Sequence, residues 1–511
     1  MRFAFTAILI SFSAALSAQT VTLNTPQGNL IGELSDKESA VRVFRGIPFA
    51  APPVGDARWK PPAGSSTWKG QRLATDFGPN CMQQSYSEGS FFWRPARLSS
   101  EDCLYLNVWT SAAPGEKRPV MVWIHGGALT RGSGATATYN GANLALKGVV
   151  LVTINYRLGV FGYFAHPELI AESPNKAAGN YGLLDQVKAL EWVQENIGAF
   201  GGDPDNVTIF GESAGSWSVN LLGASSLAKG LFHKAIGESG ARLDPRMTLS
   251  EAARNGSDLA LEINANSLAA MRAIPAQQLM DAASTNRFRT DGIVDGWSVP
   301  NQPYAVYSSG HQNQVPTLVG YNAEESTTLG VLSRIPKSDD DYISRAQNLY
   351  GDLASDFLKI YPTENLRTAT LDSSRDRGFG WNSITWVRMM AKSNQEAYLY
   401  FFSHRPPGPQ KDVLGAYHAA EIAYVFNNTH LLRNAATSDD REMGDIISSY
   451  WVNFASTGNP NGNGLAEWKP YTQANPNYVE LNVTARPATN LNPAAWDFFD
   501  KVEAIRRGEE D

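Results

Sequence analysis

Long, nearly unbroken apolar runs alternate along the chain with stretches of helical periodicity. "PVMVWIHGG" (119–127) and "VVLVTINYR" (149–157) are such runs. They suit parallel strands covered on both faces better than half-exposed antiparallel ones. "GLLDQVKALEWVQENIGAF" (182–200) sets Leu183, Val187, Leu190 and Val193 near helical spacing. It leads into "NVTIFGESAGSWSVNLL" (206–222), which reads as strand, sharp turn, helix. "HKAIGESG" (233–240), "QVPTLVGYN" (314–322) and "EAYLYFFS" (396–403) supply further strands. Near the start, "TVTLNTPQGNLIGEL" (20–34) predicts a hairpin around Pro26-Gln27-Gly28, and "RVFRGIPFA" continues extended.

Two regions, about 244–310 and 330–392, turn mainly helical and are expected to cap the sheet. Neither a flexible linker nor a long repeat divides the chain. The expected fold class is therefore α/β: one large, mostly parallel sheet, helical cap insertions and a small N-terminal antiparallel sheet, forming a single unit over 19–511.

Composition narrows the function classes. A formal charge of -7, without a basic arm or stripe, gives no footprint for nucleic acid. "MRFAFTAILISFSAALSAQT" has Arg2 before a short apolar run and then small residues. It reads as a secretory signal peptide over 1–18, implying export to periplasm or medium and no membrane span in the mature form. In an exported chain the only two cysteines, Cys81 and Cys103, are a natural disulfide pair. No compact Cys/His cluster suggests a metal, and no cofactor is expected.

The chemistry centres on Gly211-Glu212-Ser213-Ala214-Gly215. Ser213 on a strand-to-helix bend would expose its hydroxyl, with helix amides free to stabilise negative charge. A neutral serine needs a base. Among seven histidines, His418 in "LGAYHAAEIAYVF" is the best placed, while His311 and His404 stay open. His125 opens "HGGALTRG", where its backbone better suits an anion hole. A carboxylate must orient the imidazole. Glu324 and Glu325 both follow a predicted strand, and local reading does not choose between them.

The segments "FRGIPFAAPPVGDARWKPP", "SSEDCLYLNVW", "VWIHGGAL", "NYRLGVFGYF", "FGESAG", "GYNAEES" and "YHAAEIAYVF" occur in consistent order over most of the chain. Together they resemble the type-B carboxylesterase and cholinesterase-like family of α/β-hydrolases. That resemblance implies a catalytic triad of Ser213, Glu325 and His418. It implies oxyanion amides at Gly127, Ala128 and Ala214, where Ala128 replaces a common third glycine. It also implies a Cys81–Cys103 disulfide and outer roles for Ser239 and Glu421. Glu101, Asp102 and Arg45 read as structural.

The expected partner is a small-molecule ester, cleaved to an alcohol and a carboxylic acid, with short-chain or aryl esters as the default. Carboxylate-bearing natural-product esters, a serine amidase and a noncatalytic interaction module are the alternatives. Arg131, and less so Arg94 and Arg97, are candidates for holding an anionic group. Trp217 is a candidate pocket wall, although a helix-core role competes.

Overall fold

The computed structural model describes residues 19–35, 38–432 and 436–509. The expected signal peptide lies outside the described residues. Fifteen strands form in chain order. β1 (Thr20–Thr25), β2 (Gly28–Ser35), β3 (Glu38–Pro48) and β4 (Gln71–Leu73) come first, then the short β5 (Asn80–Cys81) and β6 (Ser99–Ser100). β7 (Tyr105–Thr110), β8 (Arg118–Ile124), β9 (Val150–Ile154), β10 (Gly202–Glu212) and β11 (Lys234–Glu238) follow. β12 (Thr317–Asn322), β13 (Ala397–Phe402), β14 (Asn477–Leu481) and β15 (Ala485–Thr489) complete the set.

All but β5 and β6 join one 13-stranded sheet, ordered β1-β2-β3-β7-β9-β8-β10-β11-β12-β13-β14-β15 with β4 beside β2. From β9 to β14 the neighbours are parallel. The apolar runs explain this: along β8, Val120, Val122 and Ile124 enter one core layer while Met121 and Trp123 enter the other. A strand buried on both faces cannot alternate apolar with polar residues.

Helices cover both faces. Leu183, Val187, Leu190 and Val193 of helix Tyr181–Asn196 pack in the first layer. Ile447, Tyr450, Trp451 and Phe454 of helix Ser438–Thr457 pack in the second.

The expected N-terminal antiparallel strands are present, and they join the large sheet. β1, β2 and β3 are antiparallel, with β4 parallel to β2; β3 pairs with β7, and β7 with β9, so the hairpin extends the large sheet's edge. An edge strand's free amides and carbonyls invite such pairing. A second, two-stranded sheet is the parallel pair β5–β6.

Between 244 and 310 run helices Leu249–Glu262, Leu268–Ala273 and Ala276–Thr285. The first starts at a capping box, Thr248 with Glu251. They share a third apolar cluster with Trp59, Phe161 and Phe164. In the second helical region the final helix, Trp381–Lys392, lies against the sheet itself. It is the crossover that parallel β12 and β13 require. Among the described residues no helix is long and apolar enough to cross a membrane.

Cys81 and Cys103 are buried and disulfide-bonded, closing a loop with a sequence separation of 22. Replacing both by serine is expected to lower the unfolding free energy by about 3 kcal/mol. Denaturant titration of the two proteins side by side checks this, and an unchanged midpoint contradicts it.

Candidate active site

Strand order reverses between β8 and β10, which lie side by side although β9 intervenes in sequence. In open α/β sheets such a switch point leaves a crevice beyond the strands' carboxyl ends. Here the loop after β8 carries residues 125–128, and the bend after β10 carries Ser213.

The bend is tight. Ser213 has φ 56° and ψ -120°, a conformation costing roughly 1–3 kcal/mol for a residue with a side chain. Its N–H donates to the Glu238 carbonyl at 2.8 Å and its carbonyl accepts from Trp217 at 3.0 Å, which holds the strain in place. Gly215 is needed because a Cβ there would sit 1.9 Å from the Ile124 carbonyl oxygen. Gly126 is needed for the opposite approach: a Cβ would lie 2.6 Å from the Glu212 carbonyl oxygen and 3.1 Å from Ser213 Cβ. The post-β8 loop thus rests directly on the serine bend.

Gly127 and Ala128 follow, both at positive φ. Their turn is tied by Thr130 and Arg131 amides, each donating to the Gly127 carbonyl at 3.0 Å. His125 braces it from behind: its ring stacks on Tyr156, and Tyr156 Oη donates to the His125 carbonyl at 2.8 Å. Burial pushes the His125 imidazole down to about 4, so it stays neutral. Ala214 opens helix Ala214–Ala224, where a first-turn amide has no intrahelical acceptor.

His418 brings the other half. Its Nδ1 lies 2.6 Å from Glu325 Oε2, and Glu325 Oε1 accepts from the Asn322 amide at 2.8 Å. Glu325 is fully buried. Neighbouring Glu324 turns outward, paired with Arg405 at 2.6 Å and accepting from the Ala416 amide at 2.8 Å. His404 is held by Asp440 at 2.8 Å, and His311 is exposed against Ser309. Of these three histidines, His418 is the one brought to Glu325.

His418 Nε2 faces the serine bend, 3.2 Å from Glu212 Oε1. Phe92 and Phe379 flank the ring. Among the described residues Ser213 Oγ makes no hydrogen bond, helix cap included; in free enzymes catalytic hydrogen bonds often tighten only with substrate.

Four carboxyls, Glu212, Glu238, Glu325 and Glu421, are buried around this point. Burial pushes Glu212 up to about 8, against the pull of His418 and with the push of Glu421 and Glu325. Burial, with the nearby Glu325 charge, raises Glu421 to about 7. It also raises Glu238 well above the carboxylate range, although Trp451 donates to it at 2.8 Å. For His418, burial lowers the pKa, but Glu212 and Glu325 outweigh it and raise it to about 9. Glu212 and His418 therefore compete for one proton. Ser239 and Asn322 both reach Glu421, Ser239 Oγ at 3.4 Å.

Glu212→Gln removes the first-named attraction that raises His418. The imidazole then loses its proton at lower pH, so the acid limb of the kcat/KM profile is expected to move to lower pH. A pH–rate profile that stays put, or moves up, contradicts this.

Among the described residues none of the other candidates bonds to Glu325 or His418. Arg131 lines a pocket with Thr130, Phe161, Met280 and Phe288; its Nε donates to the Gln84 carbonyl and its guanidinium covers Tyr86, which also feels the Glu212 charge. Arg94 is exposed and donates to the Trp93 carbonyl at 2.7 Å; Arg97 lies over Phe77. Trp217 is half-buried and stacked beneath Arg242. Sequence reasoning missed Glu212 as a neighbour of His418, and Glu238 as a neighbour of Glu212 and Glu421. Both stand in Gly-Glu-Ser triplets at strand ends, a repeated signal that was there to read.

A strand–bend–helix serine at the switch point of a parallel sheet, with acid and histidine after later strands, defines an α/β-hydrolase. Residues 19–499 match the carboxylesterase family. The chain is 36% identical to the fumonisin B1 esterase of Sphingopyxis macrogoltabida, covering 91% of this chain and 88% of that one. It is 33% identical to the liver carboxylesterase of Sus scrofa, covering 97% and 95%. A solved PNB esterase superposes with a TM-score of 0.81 at 32% identity, covering 94% and 99%. The protein belongs to the carboxylesterase family.

Proposed function

We propose that Ser213, Glu325 and His418 hydrolyse carboxylic esters through an acyl-serine intermediate. The observation that carries this is His418 itself: Nδ1 is fixed on a buried carboxylate and Nε2 is turned to the serine bend. Nε2 takes the Ser213 proton as Oγ forms its bond to the ester carbonyl carbon. The amides of Gly127, Ala128 and Ala214 receive the oxyanion. The C–O bond then breaks, and the imidazolium returns its proton to the departing alkoxide. Water repeats the cycle: His418 takes its proton, the acyl–Oγ bond breaks, and Ser213 is reprotonated as the acid leaves.

The aromatic flanks at Phe92 and Phe379 favour short-chain or aryl esters. A panel of 4-nitrophenyl esters of graded acyl length, with matched anilides, tests the reading. Turnover of the esters with little on the anilides supports it; anilides cleaved as fast would make the protein an amidase. The first 18 residues are read as an export signal, and the Cys81–Cys103 disulfide fits an oxidising destination.

A further inference from the structure

Arg242 follows β11 and is fixed on the helix that begins at the serine bend. Its amide donates to Asn220 Oδ1 at 3.0 Å, and its guanidinium carbon lies 3.5 Å from the centre of the Trp217 ring. Trp217 is one turn beyond Ser213, and helix side chains lean toward the N-terminus, so the indole leans toward the bend. Gly240 lies against it: a Cβ there would meet Trp217 Nε1 at 2.6 Å and the Ser213 carbonyl oxygen at 3.4 Å. One indole therefore separates Arg242 from the nucleophile's turn.

The hydrogen-bonding state of Arg242 sets it apart. Arg246, nearby, bonds through each of its three nitrogens: Nη1 on Asp291 at 2.9 Å, Nε on the Asp244 carbonyl at 3.0 Å, and Nη2 on the Asp244 carboxylate. The Arg242 guanidinium makes no hydrogen bond among the described residues. Nη2 stands 3.5 Å from Asp291 Oδ1, and Nε is buried without a partner. The side chain is only 17% exposed. Nε has given up water without gaining a hydrogen bond, and the Nη atoms, beside Asp291 but bonded to nothing, stay open to a ligand oxyanion.

We propose that Arg242 is a specificity-determining residue that binds a carboxylate on the acyl part of the ester; this rests on the ester-hydrolase reading and extends it. A guanidinium offers a planar fork matched to a carboxylate, and Trp217 holds that fork by its face. The acyl part is assigned because the alkoxide must lie within reach of His418, whose ring neighbours Phe92 and Phe379 carry no charge. The acyl chain leaves the carbonyl on the other side. The substrate class is half-esters of dicarboxylic acids, with a spacer long enough to pass one aromatic ring.

The test compares 4-nitrophenyl hemiglutarate with 4-nitrophenyl valerate, which has the same chain length and no charge, each above its uncatalysed rate. The native enzyme is expected to show the higher kcat/KM on the hemiglutarate. Arg242→Gln is expected to lower the hemiglutarate-to-valerate ratio roughly 10- to 100-fold, mainly through KM, and Arg242→Lys to fall between. A ratio unchanged by Arg242→Gln overturns the proposal. So does a native preference for valerate, which needs no variant to fold. Valerate turnover without hemiglutarate preference removes only this proposal; turnover of neither ester removes the ester-hydrolase reading as well.

Discussion

Ser213→Ala is expected to lower kcat for ester hydrolysis by roughly 10⁴- to 10⁶-fold. The hydroxyl has no structural duty: Ser213 precedes helix Ala214–Ala224 but its side chain makes no capping bond there. What holds the bend is main chain, the Ser213 amide on the Glu238 carbonyl and the Trp217 amide on the Ser213 carbonyl. Alanine keeps both bonds and meets the same positive-φ cost. The variant should therefore melt with the parent while losing turnover and any acyl-enzyme burst. Activity within about tenfold of the parent would remove serine attack from the mechanism.

Glu325→Gln is expected to cost nearly as much, about 10⁴-fold in kcat. The carboxylate accepts from His418 Nδ1 and from the Asn322 amide, so both oxygens act as acceptors. An amide must present one donor in their place. If it faces Nδ1, the ring proton moves to Nε2, and the nitrogen that must receive the serine proton is blocked. Glu324→Gln is the control, because Glu324 serves an outward pair with half-exposed Arg405 and the Ala416 amide. Steady-state rates on one neutral ester decide the matter: comparable losses from the two variants contradict the assignment.

The legible parts of this protein were those where sterics act through neighbouring residues. The bend at Ser213 could be read because Gly211 and Gly215 flank it between an apolar run and a helical one. The double-faced strands could be read because burial on both sides erases polar alternation, as in Val150–Ile154. Glu324 against Glu325 could not be decided locally. Adjacent carboxylates beyond one strand differ only in the direction each takes, and that depends on Arg405 and His418, far along the chain.

Arg131, Arg94 and Arg97 drew attention because they stand near recognisable motifs. Arg242 did not, since its significance lies in stacking on Trp217 and in donors left over after Arg246 takes the aspartates. The sheet's extended edge was equally hidden: a hairpin's pattern is the same whether it stands alone or pairs onward through β3 and β7.

The Glu325–His418 contact spans 93 residues of sequence, and the serine bend comes from a third, much earlier stretch. A chain emerging from its N-terminus presents the bend long before either partner exists. Until β12 and β13 are seated beside β11, the proposed triad of Ser213, Glu325 and His418 is not assembled. Nascent chains are consequently expected to be silent toward esters, with turnover beginning only with the completed fold. Regain of hydrolysis after dilution from denaturant therefore reports the whole sheet's assembly, without a label or a probe.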